Sequence, residues 1–180
     1  MGLIDFIKDV GHKLNIGHDE PKATQQAQGQ AAPQAAQGPS QQDLKALENR
    51  KKATALTNLV QQMGLKAENL NVQVDGDKAT VTGKVDSQEQ REKLVLLVGN
   101  SQGIAKVDDQ LQVVRPEPEA QFYDVKSGDN LSKIAKQFYG DANQYNRIFE
   151  ANRPMLKNAD DIYPGQKLRI PALATAGART

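Results

Sequence analysis

Apolar residues recur with the spacing of helices and strands in two separate stretches of the chain, 43–114 and 122–171. The first stretch opens with a long helix, for which Asp43 is the predicted cap and Gly64 the predicted end. The residues that form the apolar face of this helix are Leu44, Leu47, Leu56, Leu59, Val60 and Met63. The spacing therefore predicts a long amphipathic helix at the start of the first stretch.

The rest of the first stretch alternates between apolar and polar positions, as strands do. Strands are predicted over 70–74 and 79–85, and the hairpin turn Asp75-Gly76-Asp77 joins them. A second helix is predicted over 87–99, with Ser87 and Gln90 as a capping box, and a last strand over 105–113. The order helix, strand, strand, helix, strand predicts an α+β domain.

The second stretch is typical of two strands that enclose two helices. Strands are predicted over 122–126 and 167–170, and a tight turn at Tyr163-Pro164-Gly165-Gln166 leads into the second of them. The first helix ends at Gly140, and its apolar face comprises Leu131, Ile134, Ala135 and Phe138. The second helix starts at about Asn143 and ends ahead of Pro154. We therefore predict a separate βααβ domain.

The N-terminal residues 1–17 are predicted to form an amphipathic helix that docks on the following domain. Its apolar stripe comprises Leu3, Phe6, Ile7, Val10 and Leu14. Residues 18–42 are rich in Gln, Ala, Gly, Pro and Ser, a composition that favours a flexible tether. Residues 115–121 form a Pro-rich linker between the domains, and 172–180 form a tail.

Charge and composition exclude several classes of function. The chain has 23 Lys and Arg against 22 Asp and Glu with no block of like charge, so neither a nucleic acid nor an anionic membrane is expected as a partner. Asp5, Lys8 and Asp9 interrupt the N-terminal apolar run, which excludes an export signal and predicts a cytoplasmic protein without membrane insertion. No Ser-His-Asp set, cysteine, phosphate loop or His-rich metal spacing emerges, so an enzyme is not expected. We also expect the protein to be a monomer.

The βααβ stretch resembles the LysM family. The resemblance rests on Tyr123-x-Val125-x-x-Gly128-Asp129-x-Leu131 and on Ile162-Tyr163-Pro164-Gly165-Gln166-x-Leu168-x-Ile170-Pro171. LysM domains bind glycans that contain N-acetylglucosamine, such as peptidoglycan. The resemblance implies a glycan groove formed by Gly128, Asp129, Asn130, Leu131, Ile162, Tyr163, Pro164 and Gly165. The same residues also suit turns and a core, so both interpretations stay open.

The αββαβ stretch resembles the BON family through Ala79-x-Val81-x-Gly83-x-Val85 and the segment 98–109. Together with the opening MGLIDFIKDVGHKL and the segment LVGNSQGIAKVDDQ, the whole chain resembles a bacterial family of cytoplasmic potassium-binding proteins built from BON and LysM domains. This resemblance implies a potassium ion as the ligand.

Neutral backbone carbonyls can replace the hydration shell of potassium, and the last carbonyls of a helix lack internal partners. The expected meeting of two helix C-termini, with Gly99 and Gly103 letting carbonyls bend inward, gives five candidate ligands: Ile7, Val10, Gly99, Ser101 and Ile104. An ordinary capped helix is the competing interpretation. Three functions follow, namely intracellular potassium binding or sensing, glycan binding at the cell wall, and a protein-interaction adaptor.

Overall fold

The computed structural model describes residues 2–6 and 40–172. Its elements are β1 (Gly2–Asp5), α1 (Gln41–Gln62), β2 (Glu68–Asp75), β3 (Lys78–Ser87), α2 (Gln88–Gly99), β4 (Lys106–Arg115), β5 (Gln121–Asp124), α3 (Leu131–Tyr139), a 3₁₀ turn (Ala142–Gln144), α4 (Tyr145–Ala151) and β6 (Lys167–Ile170). The α+β class predicted from the pattern is confirmed.

The αββαβ domain is built on a four-stranded sheet in the order β1-β4-β3-β2. Strands β2 and β3 form the predicted hairpin, whereas β3 and β4 are parallel, so α2 is the crossover between them. Helix α2 packs from Leu94 to Val98 into the core, together with Leu56 and Val60 of α1. This arrangement places the C-terminal end of α2 beside the start of β4.

The N-terminal helix that we predicted is wrong for Gly2–Asp5, which form the edge strand β1. This strand pairs antiparallel with β4, and the Phe6 N–H then donates to the Ala105 carbonyl at 2.7 Å. Ile4 and Phe6 point toward the core while Leu3 is 53% exposed, so the apolar pattern here has the period of a strand. A run of apolar residues this short fits both the period of a helix and the period of a strand. The edge of β4 offers backbone hydrogen bonds to a strand, and this pairing makes the segment a strand. Ile7, Val10 and Leu14 lie outside the described residues.

Helix α1 differs from the prediction at its first turns. Ser40, rather than Asp43, is the cap, because its hydroxyl oxygen accepts from the Asp43 N–H. The Asp43 carboxylate in turn accepts from the Ser40 N–H and completes a capping box. Hydrogen bonds that the Ser40 hydroxyl and then the Ser40 N–H donate to the Asp43 carboxyl lower its pKa. Leu44 and Leu47 are 52% and 49% exposed, so the predicted apolar face is buried only further along the helix.

The βααβ domain pairs β5 with β6 and packs α3 and α4 around a second core. Gly140 ends α3 in the left-handed conformation, as the sequence predicted, with φ at 75°. The 3₁₀ turn takes the place of the first turn of the second predicted helix, which begins at Tyr145. The two domains meet because α2 lies against β6, and Phe122 and Met155 pack on the core of the αββαβ domain.

Candidate functional site

The segment 99–104 follows the C-terminal end of α2 and is largely buried. Asn100, Ser101 and Ile104 have no exposed surface. The Ser101 hydroxyl donates to the Leu97 carbonyl at 2.8 Å and its N–H donates to the Val98 carbonyl at 3.2 Å, so this residue satisfies the last turn of the helix. The Ile104 N–H donates to the Ser101 carbonyl at 3.3 Å and closes the turn. Three of the predicted ligands, Gly99, Ser101 and Ile104, therefore lie in one buried turn.

Gly99 has a role that the sequence did not reveal. We expected both glycines of this segment to bend the backbone, but only Gly103 has a positive φ, at 80°. Gly99 is the last residue of α2, and a Cβ placed on it would lie 2.0 Å from the Cζ of Phe6. The absence of a side chain at Gly99 makes room for the Phe6 ring.

Phe6 brings the N-terminal segment to this turn. Its ring covers Gly99, and the Lys167 ammonium lies 5.6 Å from the ring centroid. The next residue is Ile7, a predicted ligand that, like Val10, lies outside the described residues. Of the two helix C-termini predicted to meet, the one around Ile7 to Gly11 lies outside the described residues. The N-terminal element that the structure does describe is the strand β1, which pairs with β4.

Asn100 connects this turn to the βααβ domain. Its side-chain nitrogen donates to the Lys167 carbonyl at 2.8 Å, and its side-chain oxygen accepts from the Lys167 N–H at 2.9 Å. Our sequence reasoning missed this residue. A polar residue between Gly99 and Ser101 in an apolar run was a signal for a buried hydrogen bond, but nothing in the sequence indicated a partner in β6.

Charged side chains buried between the domains were also missed. Glu92 of α2 is 3% exposed and accepts hydrogen bonds from the Arg169 Nε at 2.5 Å, the Gln88 side chain at 3.0 Å and the Ala120 N–H at 2.9 Å. Arg91 pairs with Asp109 of β4 at 2.7 Å. The Glu92–Arg169 pair satisfies buried charge between α2 and β6, whereas the Arg91–Asp109 pair joins α2 to β4.

Helix α1 holds the opposite side of the same region. The Asn49 side chain accepts from the Gly76 N–H at 3.1 Å, and the Lys52 ammonium donates to the Gly76 carbonyl at 3.4 Å. The neighbouring Asp77 carbonyl accepts from the N–H groups of Ala105 and Lys106 at 2.8 and 3.2 Å. The β2–β3 turn thus lies between α1 and the end of the segment 99–104.

The two loops of the predicted glycan groove are brought together. The Val125 N–H donates to the Gln166 carbonyl at 2.8 Å, and the Gly165 N–H donates to the Val125 carbonyl at 2.7 Å. Gly128 has a positive φ of 83° in the first loop, and Pro164 is exposed in the second. The geometry therefore places Gly128, Asp129 and Asn130 on one side of a shared surface and Ile162 to Gly165 on the other.

Several of these groove residues have structural roles. Asp129 accepts from the Tyr123 hydroxyl at 2.8 Å and the Lys126 N–H at 2.9 Å, and Asn130 caps α3 through the Lys133 N–H at 2.8 Å. Leu131 is a core residue with 2% exposure.

Tyr163 is partly buried in this surface. Burial raises the pKa of its hydroxyl to about 12, and within the described part of the chain that hydroxyl has no hydrogen-bond partner. Its ring is therefore less available to stack on a sugar than the sequence suggested.

Comparison with known proteins agrees with this architecture. Residues 52–115 match the BON domain family and residues 123–171 match the LysM domain family. The chain is 45% identical over 171 residues to the potassium binding protein Kbp of Escherichia coli O6:H1. The aligned stretch covers 95% of this chain and 99% of that protein. The chain belongs to the Kbp family.

More distant relatives share part of this Kbp-family chain. An uncharacterized protein of Deinococcus radiodurans is 35% identical over 66% of the chain, which spans 51% of that protein. The uncharacterized protein YqbP of Bacillus subtilis is 39% identical over 32% of the chain, which spans 31% of that protein.

Across residues 2–6 and 40–172, no helix has both the length and the apolar character needed to cross a membrane.

Proposed function

We propose that this protein binds potassium ions in the cytoplasm and serves as a sensor or buffer of potassium. The observation that carries the proposal is the 45% identity to the potassium binding protein Kbp, which extends over 95% of the chain. The similarity includes both domains and the segment in which three candidate ligands lie.

We assign the site to main-chain carbonyls of Gly99, Ser101 and Ile104, joined by those of Ile7 and Val10. Gly99, Asn100, Ser101 and Ile104 of the segment 99–104 are buried, so an ion held there would lose most of its water and need other oxygens to replace it. Carbonyl groups supply such oxygens without adding net charge, which suits a large monovalent cation. Phe6 supports the inclusion of Ile7, because its ring lies on Gly99 and its N–H bonds to Ala105.

Calorimetric titration of the full-length chain tests the proposal. Potassium chloride, sodium chloride and choline chloride are added in three separate runs at the same ionic strength. We expect saturable heat with potassium and a weaker response with sodium, whose hydration shell is harder to replace. Equal responses to all three salts would contradict the proposal, and removal of residues 1–14 should abolish the potassium response.

A second function, peptidoglycan binding, is favoured by the LysM match over residues 123–171 and by the paired loops at Gly165 and Val125. The test is co-sedimentation of the full-length chain with insoluble peptidoglycan, with and without potassium. Retention reduced by Pro164→Ala would support a glycan surface at these loops, and a chain that stays in solution would contradict it.

We further infer a monomeric binding protein without catalytic activity. The support is that the family match covers both domains and names a binding protein. Light scattering after size exclusion tests the monomer. Fractionation of cells tests the cytoplasmic location, and recovery in an exported fraction would contradict it.

A further inference from the structure

The Lys52 ammonium lies against the outer side of the segment 99–104. Its Nζ lies 3.8 Å from the place where a Cβ on Gly103 would stand, and 3.4 Å from the Gly76 carbonyl oxygen. Gly103 lies between two proposed ligands, Ser101 and Ile104. A fixed positive charge is therefore adjacent to the turn that would receive the cation.

The ion-pair partner of this charge lies largely in water. The side chain of Lys52 is 29% exposed, and its carboxylate neighbour, Glu48, lies at 3.2 Å but is 66% exposed. Water screens a carboxylate at the surface more effectively than it screens an ammonium held between a helix and a turn. The proposed ligands are neutral carbonyls, so they do not cancel the remaining positive charge.

We propose that Lys52 is an affinity-determining residue that weakens potassium binding by electrostatic repulsion, and that Glu48 offsets part of this effect. The inference rests on the proposed potassium site in the segment 99–104. An ion in this turn gains less free energy while the ammonium is present, which moves half-saturation to a higher potassium concentration. Lys52 does not itself bind the ion and acts only through its charge.

The test is calorimetric potassium titration of the full-length wild type and four variants at constant ionic strength. Lys52→Gln removes the charge and should tighten binding about three- to tenfold. Glu48→Gln removes the offsetting carboxylate and should weaken binding about twofold. Lys52→Arg retains the charge and should bind as the wild type does.

Lys45→Gln is the matched control. Lys45 lines the same surface recess as Lys52 and Gly103, but it is 65% exposed and pairs with Asp75 at 3.6 Å. Its removal changes the net charge equally and should leave the affinity unchanged. The tightening by Lys52→Gln should also shrink as ionic strength rises, because added salt screens the repulsion.

A structural role for Lys52 predicts the opposite change in potassium affinity. If Lys52 mainly supports the β2–β3 turn through Gly76, Lys52→Gln will weaken binding, and that result overturns the proposal. Unchanged affinity also overturns it. A melting curve for each variant shows whether it is folded, and Lys52→Arg provides a charge-retaining variant with a hydrogen-bond donor. Absence of potassium binding by the wild type would instead reject the proposed function.

Discussion

Asn100 and Lys167 are joined by two hydrogen bonds, through which the Asn100 side chain pairs with the Lys167 backbone as a neighbouring strand would. Asn152 does the same for Arg169, accepting from its N–H at 2.8 Å and donating to its carbonyl at 2.9 Å. Strand β6 therefore has β5 on one edge and two asparagine side chains on the other. One of these comes from the αββαβ domain, so the contact between the domains completes the hydrogen bonding of β6.

Asn100→Ala should lower the free energy of unfolding by about 2–4 kcal/mol, because two buried backbone groups of Lys167 lose their partners. Urea denaturation measures the loss, and amide exchange at Lys167 should become faster. Asn158→Ala is the control, since it removes an exposed hydrogen bond to Asp161 and should cost under about 0.5 kcal/mol. Unchanged amide exchange at Lys167 would show that the contact between the two domains does not depend on the Asn100 side chain.

Arg169→Met should destabilise the chain by about 3–5 kcal/mol, because Glu92 would keep a buried charge without its counter-ion. The double variant Glu92→Gln with Arg169→Met should recover much of this loss, since no unpaired charge remains. Glu150→Gln is the matched control in the exposed pair with Arg153, and it should cost less than about 1 kcal/mol. A double variant as unstable as the single one would argue against this explanation.

Gly99→Ala should displace the Phe6 ring, because the added Cβ would lie 2.0 Å from Cζ. Overpacking of this kind costs about 1–3 kcal/mol. Protection of the Phe6 amide, measured by hydrogen exchange, should fall, and potassium binding should weaken with it. Gly2→Ala in β1 is the control, since a Cβ there meets nothing within 4 Å. Phe6→Leu combined with Gly99→Ala should restore part of the stability.

Tyr163 should make stability depend on alkaline pH. Burial raises the pKa of its hydroxyl from 10.0 to about 12, so the unfolded chain loses this proton first. Stability should therefore decrease as pH rises through that interval, and Tyr163→Phe should remove this part of the decrease. The tyrosinate absorbance of the wild type should show a late-titrating group that the variant lacks. Identical titration curves would place the late group elsewhere among the four tyrosines.

Local patterns predicted most elements because helices, hairpins and caps depend on neighbouring residues. Gly140 ends α3 as expected. Ser87 caps α2, but the Gln90 side chain accepts from the Asp86 N–H instead of completing the predicted capping box with Ser87. The strand β1 could not be distinguished from a helix, because a run as short as Leu3, Ile4 and Phe6 fits both periods and the deciding partner is β4. The same limit applies to the site. Gly99, Ser101 and Ile104 were found together because they are close in sequence, whereas the bonds of Asn100 and Glu92 to β6 depend on tertiary structure.

The contact of Phe6 with Gly99 and Lys167 also determines when, during translation, the N-terminal strand can be fully packed. During translation the N-terminal strand leaves the ribosome first, yet its ladder partner in β4 and the ammonium over its ring are made about a hundred or more residues later. A nascent or prematurely terminated chain that stops before β6 lacks one side of this junction. The junction, which lies beside the proposed ion site, can thus form fully only after synthesis has passed Lys167.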